Sequence, residues 1–155
     1  MPWEYLDKLN YRYELASGLV DFKDKHVVDL CSGNTGLYNF VHPIVASYRA
    51  CDIRPLSAVA EAISDDKFVR TVEHCDILCL FGYGGYEITK EPLESSTVLD
   101  SMKYLIDKFD PVIVLECVSK FVPALQEIIQ PYQRQEIRTA GDDWLTDRVM
   151  FILRR

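Results

Sequence analysis

Apolar and polar positions change period several times along the chain, and each change marks a new helix or strand. Over residues 3–18, Leu6, Leu9, Tyr13 and Ala16 recur at helical spacing, and Gly18 supplies a stop. Residues 26–30 form a short apolar run expected to be a strand. A helix is expected from Thr35 to about Ser47, shortened or bent by Pro43. Residues 48–53 (YRACDI) read as a second strand ending in an acid. Pro55 then opens a predicted helix through Leu56, Val59, Ala60 and Ile63, at the position where a helix tolerates proline.

The second half continues the alternation. Residues 76–81 (DILCLF) and 111–117 (PVIVLEC) are apolar on both parities, as strands covered on both faces are. Between them, Val98, Leu99, Met102, Leu105 and Ile106 mark a helix over 95–109. Residues 121–129 are predicted helical and Pro131 ends them. Two closing strands, about 133–139 and 148–154, are separated by the polar GDDWLTD and should pair antiparallel. FVRTV (68–72) reaches DILCLF after three residues, too few for a parallel crossover, so it is read as helical or irregular. The pattern predicts an α/β, doubly wound sheet, mostly parallel, with an antiparallel C-terminal hairpin and a third edge strand that is short or absent.

At 155 residues the chain suits one domain, 1–155, whose first 18 residues form a helix packed on the sheet or over a ligand. Its formal charge of −7 and the lack of a basic stripe argue against a nucleic-acid partner. No apolar stretch approaches the roughly 18–20 residues of a membrane span, and the N-terminus lacks the apolar core of a secretory signal. Five cysteines without a CxxC pair, and three histidines without ligand spacing, point to a reduced, cytoplasmic, metal-free protein.

Candidate chemistry begins at VVDLCSGNTG (27–36), an apolar run that ends in Asp29 and passes into a loop of small residues. Gly33 and Gly36 free the backbone to approach a ligand, and Asn34 tolerates positive φ better than most residues. Asp52 lies 19 positions after Gly33, near the spacing that delivers a carboxylate to ribose hydroxyls. The strand-to-helix turn of any α/β protein would also account for the loop taken alone. A dinucleotide fingerprint, G-x-G-x-x-G, is not present in CSGNTG. GYGGY (82–86) ends the fourth strand, where Tyr83 or Tyr86 would orient a nucleophile; a surface loop is the plainer alternative. Glu87, Glu91 and Glu94 include a candidate base, or form a solvated acidic face before a helix. Glu116, at the end of the fifth strand, reads equally as a site residue and as a buried structural acceptor.

Together VVDLCSGNTG, CDIRP, DILCLFGYGG and the closing hairpin with DRVMFILRR resemble the class I S-adenosylmethionine-dependent methyltransferase superfamily from about residue 19 onward. The resemblance implies strand order 3-2-1-4-5-7-6 and S-adenosylmethionine as cofactor. It also implies a cofactor site of Asp29, Cys31, Gly33, Asn34, Gly36, Asp52, Ile53 and Gly82, with Tyr83, Tyr86 and Glu87 as catalytic candidates. In the family the first acid, here Asp29, serves the cofactor's amino-acid end. The family loop reads D-x-G-x-G-x-G, so Cys31 and Thr35 stand at glycine positions. Its adenine-side acid follows the third strand; Asp76 and Glu73 are the candidates here. The implied function is methyl transfer to a small molecule or protein side chain. The alternative is a non-catalytic methyltransferase-fold subunit, as a homo-oligomer or in a hetero-complex. A third reading, aminopropyl transfer, would need Glu87 and Glu91 to hold an amine.

Overall fold

The computed structural model describes residues 3–32, 35–83, 97–140 and 147–155. Seven strands form one sheet in the order β3-β2-β1-β4-β5-β7-β6. They are β1 (His26–Leu30), β2 (Ser47–Cys51), β3 (Ala60–Glu61), β4 (Ile77–Tyr83), β5 (Val112–Val118), β6 (Gln133–Ala140) and β7 (Arg148–Arg154). The first five run parallel, and β7 pairs antiparallel with both β5 and β6. This is the predicted doubly wound sheet, with its short third strand and its antiparallel closing pair.

Side-chain alternation divides the core into two layers. Ile77, Cys79 and Phe81 of β4 join Val27, Val114, Met150 and Ile152 beneath α1 (Trp3–Leu19) and α2 (Tyr38–Val41). Leu78 and Leu80 join Leu30, Ile113, Leu115 and Phe151 on the other face. That face is covered by α3 (Asp65–Val69), α4 (Val98–Phe109) and α5 (Gln126–Ile129). Burial on both faces explains why the middle strands are apolar at consecutive positions. Tyr13 and Ala16 are buried as their spacing predicts. The side chains of Leu6 and Leu9, and Trp144 of the predicted turn, lie outside the described residues.

Three expectations are corrected. The helix expected over 35–47 is only the four residues of α2, because Thr35 takes a left-handed backbone (φ 53°) and the chain returns at Ala46, whose N–H donates to Lys25. The helix expected after Pro55 is absent: the Ser57 hydroxyl accepts the Val59 N–H at 3.1 Å, closing a side-chain turn. The chain then reaches β3, which pairs with β2 through Ala60 and Glu61. Residues 119–125 form a 3-10 helix with Pro123 inside it, ahead of α5, because proline cannot donate to an α-helical ladder. FVRTV is helical at its start, within α3.

Among the described residues, no helix is long and apolar enough to cross a membrane.

Candidate functional site

The order 2-1-4 places a reversal of winding between β1 and β4, and ligands of doubly wound sheets bind beyond the strand ends at such a point. The loop leaving β1 is shaped by its backbone. Cys31 (φ 52°) and Thr35 (φ 53°) both take the left-handed conformation that favours glycine. These are the two positions where the sequence departs from the family's glycines. The backbone keeps the glycine-like path at both, and neighbours hold it. The Ser32 N–H donates to Cys51 at 3.0 Å, and the Thr35 hydroxyl bonds Ser57 at 2.8 Å. Gly33 and Asn34 lie outside the described residues.

Asp29 is 1% exposed. Its Oδ2 accepts a hydrogen bond from the Tyr48 hydroxyl, while its buried Oδ1 has no partner among the described residues. Burial pushes the carboxyl up to about 7, against the Tyr48 hydrogen bond and the Arg12 charge, with Asp52 adding to the rise. Tyr48 was not a candidate in the sequence. Strand alternation locates it: Asp29 registers with Ala50, and Tyr48 lies two residues earlier on the same face.

Asp52 follows β2, and its N–H donates to Glu61 at 3.0 Å. Its Oδ1 accepts the Arg54 N–H at 2.8 Å, closing an Asx turn. Ile53 and Leu56 beside it are each 70% exposed. The two adenine-side candidates lie at the other end of the sheet. Asp76 accepts the His26 N–H at 2.8 Å where β1 and β4 begin, and Glu73 is exposed just before it. The acid that follows β3 is Asp65, at the start of α3. Its Oδ2 accepts hydrogen bonds from Thr97 (2.9 Å) and Ser101, and its charge reaches Cys31 and Cys51. The sequence hid it because the third strand had not been located at Ala60.

At the end of β4 the pairing with β5 shifts register, and Gly82 takes φ +75°. A Cβ at Gly82 would meet only an Arg12 nitrogen at 3.4 Å, so backbone conformation requires this glycine rather than space. The Gly82 N–H donates to Glu116 at 2.7 Å. Glu116 is fully buried and also binds Arg12 at 2.6 Å and Arg148 at 3.1 Å. Tyr83 packs edge-on against Phe121 in the helix-covered core, and burial raises its hydroxyl. Tyr86, Glu87, Glu91 and Glu94 lie outside the described residues.

The helix α1 bridges the two ends of this site. Arg12 reaches Glu116 and also donates to the Tyr13 hydroxyl at 2.6 Å. The Tyr13 ring meets Phe81 edge-on at 4.9 Å and fills the space over Gly36, where an added Cβ would stand 2.3 Å from a ring carbon. Gly36 is therefore kept small by a tyrosine of the same chain. Gly36→Ala is expected to cost about 1–3 kcal/mol by overpacking. Urea denaturation checks this, and the cost should shrink in a Tyr13→Ala background because the two residues share one volume.

No family model and no curated protein matches this chain. Solved structures do. An rRNA methylase from Streptococcus thermophilus, 11% identical, superposes with a TM-score of 0.64 over 92% of this chain and 93% of that one. A Streptococcus mutans protein solved in complex with S-adenosylhomocysteine is 13% identical, with a TM-score of 0.61 over 92% and 94%. Magnesium protoporphyrin IX methyltransferase from Synechocystis, with S-adenosylmethionine bound, is 12% identical, with a TM-score of 0.60 over 98% and 79%. In strand order, winding and closing antiparallel pair, the chain has the fold of the class I S-adenosylmethionine-dependent methyltransferases.

Proposed function

We propose that the chain binds S-adenosylmethionine beyond β1 and β4 and transfers its methyl group to a small molecule or a protein side chain. The observation that carries this reading is the loop after β1. It keeps left-handed turns at Cys31 and Thr35 without the glycines that normally permit them, beside a buried carboxyl group whose Oδ1 has no partner among the described residues. Non-glycine residues in that conformation cost of order 1 kcal/mol each, and such strain gathers at functional sites.

The donor set fits the cofactor. Asp29 serves the ammonium end, with the backbone of Cys31 and Gly36 along the loop; Gly33 and Asn34, the loop's other candidates, lie outside the described residues. Asp52 offers acceptors to the ribose diol. Ile53 gives an exposed apolar surface for the adenine, and Asp65 is the nearby acid after β3. The bound cofactor supplies an electrophilic sulfonium methyl, and the protein's part is alignment. Gly82 borders the acceptor side, with Tyr83, Tyr86 and Glu87 as candidates for orienting the acceptor. The charge of −7 favours an acceptor other than a polyanion.

A non-catalytic binding subunit is the second reading, supported by one specific observation. The two described acceptor-side groups, Tyr83 and Glu116, are committed to the core and to an ion cluster. Product analysis with candidate acceptors separates the two.

Calorimetric titration tests the shared part. S-adenosylmethionine and S-adenosylhomocysteine should bind, NAD should not, and Asp52→Ala should weaken binding by about tenfold or more through loss of charge-assisted hydrogen bonds. A folded protein that binds none of the three would overturn the cofactor reading.

A further inference from the structure

We propose that Tyr48 and Asp29 form a charge-selecting pair, in which the buried Asp29 carboxyl holds a proton in the ligand-free protein up to near-neutral pH and loses it to solvent when a ligand ammonium reaches its Oδ1. This rests on the cofactor reading above and adds to it the charge state of the site and the part of the ligand that it senses.

The geometry makes the pair unusual. Asp29 is almost wholly buried, yet no cation is paired with it among the described residues. The nearest guanidinium, Arg12, is engaged by Glu116 and by the Tyr13 hydroxyl, each at 2.6 Å. The other groups facing Asp29 do not supply a positive charge. Tyr48 comes from β2, Asp52 and Cys51 from its end, Tyr13 from α1, Cys79 from β4, and Cys31 follows β1. A buried carboxylate with one hydroxyl donor and no counter-charge favours its neutral form. Tyr48 donates to Oδ2, which leaves the proton on Oδ1.

An ammonium at Oδ1 reverses that preference, because it supplies the missing counter-charge in a water-poor setting. The exchange balances without electron transfer. The Oδ1–H bond breaks, the proton passes to buffer, and a carboxylate–ammonium pair remains. A ligand that carries the adenosine and sulfur but no ammonium has nothing to drive this step. The pair thereby separates ligands by charge at one end, independently of how well the nucleoside fits at Asp52.

The experiment is calorimetric titration in buffers of differing ionisation enthalpy, with two probes: S-adenosylhomocysteine and 5′-methylthioadenosine, which lacks the amino-acid portion. For the homocysteine ligand, proton release should be clearly larger at pH 6 than at pH 8, where the free carboxyl is already largely ionised. Methylthioadenosine should release none at either pH. Tyr48→Phe removes the donor that favours the carboxylate, so release should persist to higher pH in that variant. Binding of S-adenosylhomocysteine with no dependence of the enthalpy on buffer would overturn this proposal and leave the cofactor reading intact. Equal release from methylthioadenosine would also overturn it, since the proton would not report the ammonium. Failure of both probes to bind a folded protein would remove the proposal together with the cofactor reading.

Discussion

Glu116→Gln is expected to lower the unfolding free energy by about 3–5 kcal/mol, the range for breaking one side of a buried ion cluster. The wild-type carboxylate is wholly buried between Arg12 and Arg148 and also takes the Gly82 N–H. Glutamine keeps the volume but withdraws the charge that both guanidiniums share, and little water reaches them to replace it. Chemical denaturation of the two proteins measures the difference. A surface pair gives the contrast. Lys103 and Glu127 approach to 2.6 Å, but Glu127 is 80% exposed, so Glu127→Gln should leave the midpoint unmoved. Equal effects at the two glutamates would mean that burial adds nothing to the cluster.

The second large effect has the opposite sign. Asp29→Asn is expected to stabilise the protein at pH 8 by about 2–4 kcal/mol. The carboxyl has an ordinary value of 3.8 and is pushed up to about 7 in the fold, chiefly by burial. Between those values the unfolded chain carries an ionised aspartate and the folded chain a neutral one. Unfolding then releases a proton, and rising pH favours the unfolded state. The contribution of Asp29 is complete below about 4 and lost above about 7. Asparagine cannot titrate, so the fall in stability across that window should flatten in the variant. Parallel curves for the two proteins between pH 4 and 8 would show that Asp29 is already ionised in the folded state. On the proposed cofactor reading the same substitution also removes the group that meets the ligand ammonium, a trade of stability against binding.

The parts of the fold that were legible in the sequence are those where burial acts on both faces. β4 and β5 are apolar at nearly every position, and β1 carries a shorter apolar run before Asp29, as strands covered on both faces do. The closing pair was legible from its length and its polar turn. The failures fall where a few residues are decided by partners distant in the chain. Leu56, Val59, Ala60 and Ile63 have helical spacing, yet β2 offers Ala60 and Glu61 an open edge, and Ser57 turns the chain toward it. Thr35 gives no hint from its type that it will be left-handed, and that conformation delays α2.

The positions of the candidate residues were legible only in part. Asp29 and Asp52 stand at strand ends, where local pattern alone locates them. Tyr48 required the β1–β2 register, and Asp65 required the location of β3. Arg12 and Glu116 are 104 residues apart, so neither predicts the other. Reading residue types also misjudged the loop. Cys31 and Thr35 looked like departures from a glycine pattern, but the pattern belongs to the backbone, which other contacts can impose.

The bridge from α1 to Glu116 has a consequence for the order in which the molecule is made. Arg12 is synthesised well before its carboxylate on β5 and before Arg148 at the start of β7. Domains gather during synthesis from the N-terminus, but this helix has no counter-charge to meet until some hundred residues more have emerged. The ion pair that ties α1 to the sheet therefore forms only after β5 has been made. The contact of Tyr13 with Gly36, by contrast, joins residues close together in the chain, so the two ends of α1's anchorage become available at different stages of synthesis.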